Sequence, residues 1–116
     1  RMPRMRFGCA HVFNCLYTCV DNMYCIGAGY RSNIYAENNA FIDVNAPWML
    51  WATKEGYSDY NITMKNNIGA PDIQQRSGDA DYFIPDYEYK LYDVSLVQKV
   101  VGNEKNGAGA TYDFSD

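Results

Sequence analysis

Three stretches of this chain echo one another. They are Ala10-His11-Val12-Phe13-Asn14-Cys15-Leu16-Tyr17, Ile34-Tyr35-Ala36-Glu37-Asn38-Asn39-Ala40-Phe41 and Ile62-Thr63-Met64-Lys65-Asn66-Asn67-Ile68. Aligning Asn14, Asn38 and Asn66 gives steps of 24 and 28 residues. A loose period in the twenties, built on short apolar strands with no long helix, is the signature of a stacked solenoid. The predicted class is therefore all-β, a parallel β-helix whose coils lie about 4.8 Å apart, the ordinary strand spacing. Asparagines at matching positions of stacked coils can bond amide to amide, satisfying polar groups whose burial would otherwise cost about 1–3 kcal/mol each. A single Asn-Asn pair is only a turn signal. Two pairs and an Asn-Cys, each behind an apolar strand, point to a ladder through Asn14, Asn38 and Asn66.

Composition is compatible with that reading. At 116 residues the chain allows one domain, and 47% hydrophobic residues permit a core. The formal net charge of −4 argues against bulk nucleic-acid binding. A polyanionic ligand would have to be drawn by a local basic patch. No apolar run reaches the roughly 18 residues of a membrane helix. Four cysteines, Cys9, Cys15, Cys19 and Cys25, fit no zinc spacing. Cys9 to Cys15 along one extended strand would span about 20 Å, beyond disulfide reach. Cys19 with Cys25 could close a loop, and buried free thiols are the alternative.

The connections carry fewer signals. Thr18 to Arg31 reads as a turn with a short strand around Tyr24-Cys25-Ile26. Pro47-Trp48-Met49-Leu50-Trp51 packs back on the solenoid or offers a sugar-stacking edge. Residues 69–86 read as one long polar connection. Asp79, Asp81 and Asp86 within it lack a calcium-loop spacing and read as a solvated loop. Asp93 is a suitable N-cap for a short helix in which Val94, Val97, Val100 and Val101 form one stripe.

The front of the chain concentrates positive charge. Arg1, Arg4 and Arg6 surround Pro3. If residues 4–8 are a strand, Arg4 and Arg6 share a face. Guanidinium forks are the usual partners of carboxylates and phosphates. The run Arg1-x-Pro3-x-x-Arg6-Phe7-Gly8, followed by His11-Val12-x-Asn14, resembles the signature of the pectate lyases, polysaccharide lyase family one. The family's second asparagine is Cys15 here. A second, less specific likeness is Pro85-Asp86-Tyr87-Glu88-Tyr89-Lys90-Leu91, the helix after it, and Gly107-Ala108-Gly109.

The resemblance implies a right-handed parallel β-helix with a short C-terminal capping helix, and Ca²⁺-dependent β-elimination of polygalacturonate. It assigns Arg1 as the base, Pro3 as the turn, and Arg6 as a substrate arginine. Arg4 is a further candidate for contact with uronate; Arg31, which follows a Gly-x-Gly-Tyr turn, could also contact it but reads first as a solvated surface residue. His11, Asn14, Asn38 and Asn66 are expected to be structural. Arginine is a poor base at its ordinary pKa, above 12. Nearby cations disfavour its charged form, and a three-unit drop asks about 4 kcal/mol of the site. The family's calcium-binding aspartates lie upstream of the Arg-x-Pro motif, so no metal ligand is expected in this chain. Residues 1–116 are accordingly expected to be the C-terminal part of one domain, active with its N-terminal half, and secreted or periplasmic. A non-catalytic β-helical pectin-binding or structural module is the alternative.

Overall fold

The computed structural model describes residues 3–18, 23–50, 59–77 and 82–101. Short strands recur in threes. The first round is β1 (Arg4–Met5), β2 (Gly8–Phe13) and β3 (Leu16–Tyr17). The second is β4 (Ile26–Ala28), β5 (Ser32–Glu37) and β6 (Ala40–Phe41). β7 (Trp48–Leu50) and β8 (Tyr60–Lys65) follow, then β9 (Ile73–Ser77) and the helix α1 (Val94–Val101). Each strand pairs in parallel with its counterpart in the next round, giving sheets β1-β4-β7, β2-β5-β8 and β3-β6. β9 then closes one side of the middle sheet in antiparallel register with β8.

The register explains the apolar pattern. Ala10, Ile34 and Ile62 are paired across β2, β5 and β8, as are Val12, Ala36 and Met64. Alternation sends these residues inward together. Ile26, Ala28, Ile34, Ala36, Ile62 and Met64 are at most 1% exposed. On the third sheet Tyr17 lies flat on Phe41, ring centroids 4.8 Å apart and planes 4° off parallel. Trp48 and Leu50 pack on the core from β7, which settles their side of the sequence alternative; Trp51 lies outside the described residues.

The asparagine repeats serve two ends, and this revises the expected ladder. Asn14, Asn38 and Asn66 each adopt φ of +53° to +54° at the corner leaving the middle sheet. Asparagine tolerates this left-handed region better than most residues. The amide ladder to the backbone runs one residue later. The Cys15 N–H donates to Asn39 Oδ1 at 2.9 Å, and the Asn39 N–H donates to Asn67 Oδ1 at 2.9 Å. Asn39 Nδ2 and Asn67 Nδ2 donate in turn to the Val12 and Ala36 carbonyls. Among the corner asparagines only Asn66 bonds to Asn38, at 3.0 Å. Asn14 instead bonds the chain at 90–92 through both amide atoms.

Two further expectations change. The strand expected over 4–8 stops at Met5, because Phe7 turns at φ +54° and Gly8 at φ +127°. Alternation therefore does not carry across from Arg4 to Arg6. The long connection at 69–86 contains β9, whose Gln74, Gln75 and Arg76 are exposed. An edge strand with polar residues on both faces gives no period-two hydrophobic signal. The helix forms as expected. Asp93 accepts from the Ser95 N–H at 3.0 Å and from its hydroxyl at 2.7 Å, which holds the Asp93 carboxyl below its ordinary value. Val97 is fully buried where α1 meets β3 and β6.

Candidate functional site

The basic front folds into the first corner of the stack. Pro3 is half-buried, and its carbonyl accepts the Gly27 N–H at 2.8 Å. That bond places Arg4 beside Gly27, with Met49 next in the row. Arg4 and Arg6 are both exposed. The Arg6 stem lies over Gly29. A Cβ on Gly29 would sit 2.9 Å from Arg6 Cγ and 2.5 Å from the Met5 carbonyl oxygen. Any larger residue there would displace the arginine or the strand. Arg1 lies outside the described residues, as do Asp79, Asp81, Cys19 and Gly107 to Gly109.

The next corner stacks directly on the first. The Phe7 N–H donates to the Tyr30 carbonyl at 3.0 Å, and the Gly8 N–H to the Arg31 carbonyl at 3.2 Å. Phe7 and Tyr30 meet ring to ring, centroids 5.3 Å apart and tilted by 39°. The Arg31 guanidinium carbon lies 5.1 Å from the centre of the Tyr30 ring. Arg31 also shares φ +54° with Phe7. A shallow cavity of about 210 Å³ opens beside this corner, between Arg31, Asn33, Asp59, Asn61 and Ser77. The sequence singled out Arg31 but not the Phe7–Tyr30 pair. Contact between residues 23 apart in the chain follows only once the coil register is known.

His11 belongs to a different face. Its side chain is 3% exposed, and Nε2 lies 3.0 Å from Glu37 Oε2. Its Nδ1 lies 2.7 Å from the Tyr87 hydroxyl. The Tyr89 hydroxyl donates to the same Glu37 oxygen at 2.9 Å. A proton on Nε2 satisfies the whole chain: Tyr87 O–H to Nδ1, Nε2–H to the carboxylate, Tyr89 O–H to the carboxylate. Phe13 stacks on the imidazole at 4.4 Å, and Tyr89 meets it edge-on at 4.5 Å. Burial pushes the Tyr89 phenol up, with help from Glu37, to about 12. Both ring nitrogens of His11 are used, Nδ1 with Tyr87 and Nε2 with Glu37, which in turn holds Tyr89. Glu37 is the partner that fixes this arrangement.

Cys9 and Cys15 carry free thiols. Burial pushes the Cys15 thiol up, so it is a poor nucleophile. Cys25 is buried. Among the described residues no three His, Cys, Asp or Glu side chains gather as a metal-binding group. None of the described residues is assigned as a calcium ligand. Among the same residues no helix is long and apolar enough to cross a membrane.

A sequence model of the pectate lyase family matches residues 1–111. The chain belongs to the pectate lyase family. The match takes in both the arginine-rich front and the segment through α1, and it supports polysaccharide lyase chemistry. No curated protein and no solved structure gave a significant match.

Proposed function

We propose that this chain is the arginine-bearing part of a calcium-dependent pectate lyase that cleaves polygalacturonate outside the cell. The observation that carries the reading is the family match over residues 1–111, which includes the run Arg1-x-Pro3-x-x-Arg6-Phe7-Gly8. Parallel sheets linked in repeating order support a right-handed parallel β-helix as the frame. β1, β2 and β3 each stand at one edge of their sheets, where preceding coils of the same domain could stack. In this reading those coils hold the calcium ligands.

Arg1 is the proposed base. It removes the ring proton alpha to a galacturonate carboxylate. The C4–O4 bond then breaks, the electron pair leaves with the glycosidic oxygen, and a C4–C5 double bond remains. Arg6 pairs with a substrate carboxylate, and Arg4 adds positive potential on the same corner. Neighbouring cations make it easier for Arg1 to give up its own proton. Calcium, when bound, neutralises carboxylate charge that would otherwise oppose loss of the ring proton.

The test is the ultraviolet absorbance of unsaturated product when the full-length protein meets polygalacturonate and Ca²⁺. Absorbance should rise with the parent, and Arg1→Lys and Arg1→Ala should each abolish most of the rise. Full activity in Arg1→Ala would remove Arg1 from its role. Saturable pectin binding without unsaturated ends would instead mark a binding module.

A further inference from the structure

We propose that Gly29 is a positioning residue for Arg6: lacking a side chain, and pinned by Ser32, it sets the place from which the Arg6 guanidinium reaches out of the coil. The role rests on the lyase reading above, in which Arg6 pairs with a substrate carboxylate. It adds to that reading two residues of the second coil that stand outside the arginine motif.

Gly29 is buried just after β4. A glycine in an ordinary backbone conformation loses freedom on folding that other residues do not. Among the described residues the glycines that turn through positive φ are Gly8 and Gly69. Gly29 is not one of them, so no left-handed turn requires it. What excludes a side chain there is space. A Cβ would sit 2.5 Å from the Met5 carbonyl oxygen and 2.9 Å from Arg6 Cγ. Both contacts bear on the arginine, because the Met5 carbonyl belongs to the peptide bond that leads into Arg6.

The glycine itself is held fast. Its N–H donates to the Met5 carbonyl at 2.9 Å. Its own carbonyl accepts twice from Ser32, from the N–H at 3.1 Å and from the hydroxyl at 2.8 Å. Ser32 opens β5 and is 2% exposed. Gly29 therefore does not yield to the Arg6 stem; the stem settles on it. Gly29 belongs to the coil that follows Arg6, so coils stacked before β1 meet the opposite side and leave this contact in place.

The position matters because the guanidinium must meet a carboxylate in a defined place. With a Cβ on Gly29, Arg6 Cγ would have to retreat from 2.9 Å to the roughly 3.5–4.0 Å of an ordinary carbon contact. A misplacement of about 1 Å at a substrate-positioning group can cost about a hundredfold.

The experiment is steady-state kinetics of the full-length protein on polygalacturonate with Ca²⁺, read as unsaturated product, in a cycle of Gly29→Ala and Arg6→Ala. Arg6→Ala should raise KM about tenfold or more, as loss of a hydrogen bond to a charged group does. Gly29→Ala should raise KM about five- to tenfold with kcat little changed, the pattern of a lost binding contact. Loss of stability alone would lower the folded fraction, and so the apparent kcat, without moving KM. Added to Arg6→Ala, Gly29→Ala should raise KM no further, since the residue it acts through is gone. Ser32→Ala, which removes one bond to Gly29 and adds no atoms, should raise KM about two- to threefold in the parent and not in Arg6→Ala. That variant decides the matter alone if Gly29→Ala does not fold. The same rise with and without Arg6, or parent-like KM in the Gly29 and Ser32 variants, overturns the positioning role while leaving the lyase reading in place. A parent that releases no unsaturated product overturns both.

Discussion

Tyr89 shows how a single side chain ties the acid–base properties of the protein to its fold. Its hydroxyl donates to Glu37, which also faces His11, so the phenol proton is shared into a network that joins two strands to a distant segment. The folded chain holds that proton up to about pH 12, whereas the ordinary value is 10.0. Between those values the unfolded chain has lost a proton that the folded chain retains. Raising the pH therefore costs stability, with the Tyr89 contribution intact below pH 10 and lost progressively toward 12. The measurement is the urea midpoint from pH 9 to 12 for the parent and for Tyr89→Phe. The parent should start higher, and the gap should close across that window. A gap that stays constant would mean the hydroxyl has no such role. None of this was legible in the sequence, because the partners of Glu37 stand 26 and 52 residues away.

At the scale of elements, residues 82–93 act as a strap across the outer face of β2 and β5. They are pinned by side chains rather than by a sheet ladder. The Phe83 N–H donates to Asn33, the Tyr92 N–H to Asn14, and the Lys90 and Tyr92 carbonyls accept from Asn14 and Asn38. The repeat of Asn14, Asn38 and Asn66 was plain in the sequence because it marks the coil period. Its division of labour was not, because the corner and the ladder fall on adjacent residues and only coordinates separate them. β9 escaped for the opposite reason, since it has a partner strand but no apolar face. Asn14 lets the strap be tested apart from the corner. Asn14→Gly keeps the left-handed backbone but deletes two hydrogen bonds to the strap, and should cost about 1–3 kcal/mol. Asn14→Ala also forces a Cβ into that backbone, and should cost about 1 kcal/mol more. Urea unfolding reads both, and limited proteolysis should cut first near residues 82–93 in either variant. Equal stability in all three proteins would show that the strap contributes nothing.

The molecule as a whole is asymmetric along its stack. On one side the middle sheet ends in β9, antiparallel and polar, while α1 flanks β3 and β6. On the other side stands β2, a six-residue strand whose outer backbone groups meet no neighbouring strand among the described residues. Buried residues reach that edge: Val12 is 8% exposed and Tyr17 6%. A long unpaired edge over an apolar core is a template for another chain. In a solenoid each coil also draws its stability from both neighbours. Residues 1–116 expressed by themselves should therefore self-associate at micromolar concentration, seen by sedimentation as concentration-dependent species larger than 13.2 kDa. Supplying preceding coils of the same domain, fused or as a separate chain, should suppress the association and sharpen the thermal transition. A monodisperse 116-residue monomer that melts cooperatively would show that β2 is stable as an edge, and would remove the argument for coils stacked upon it.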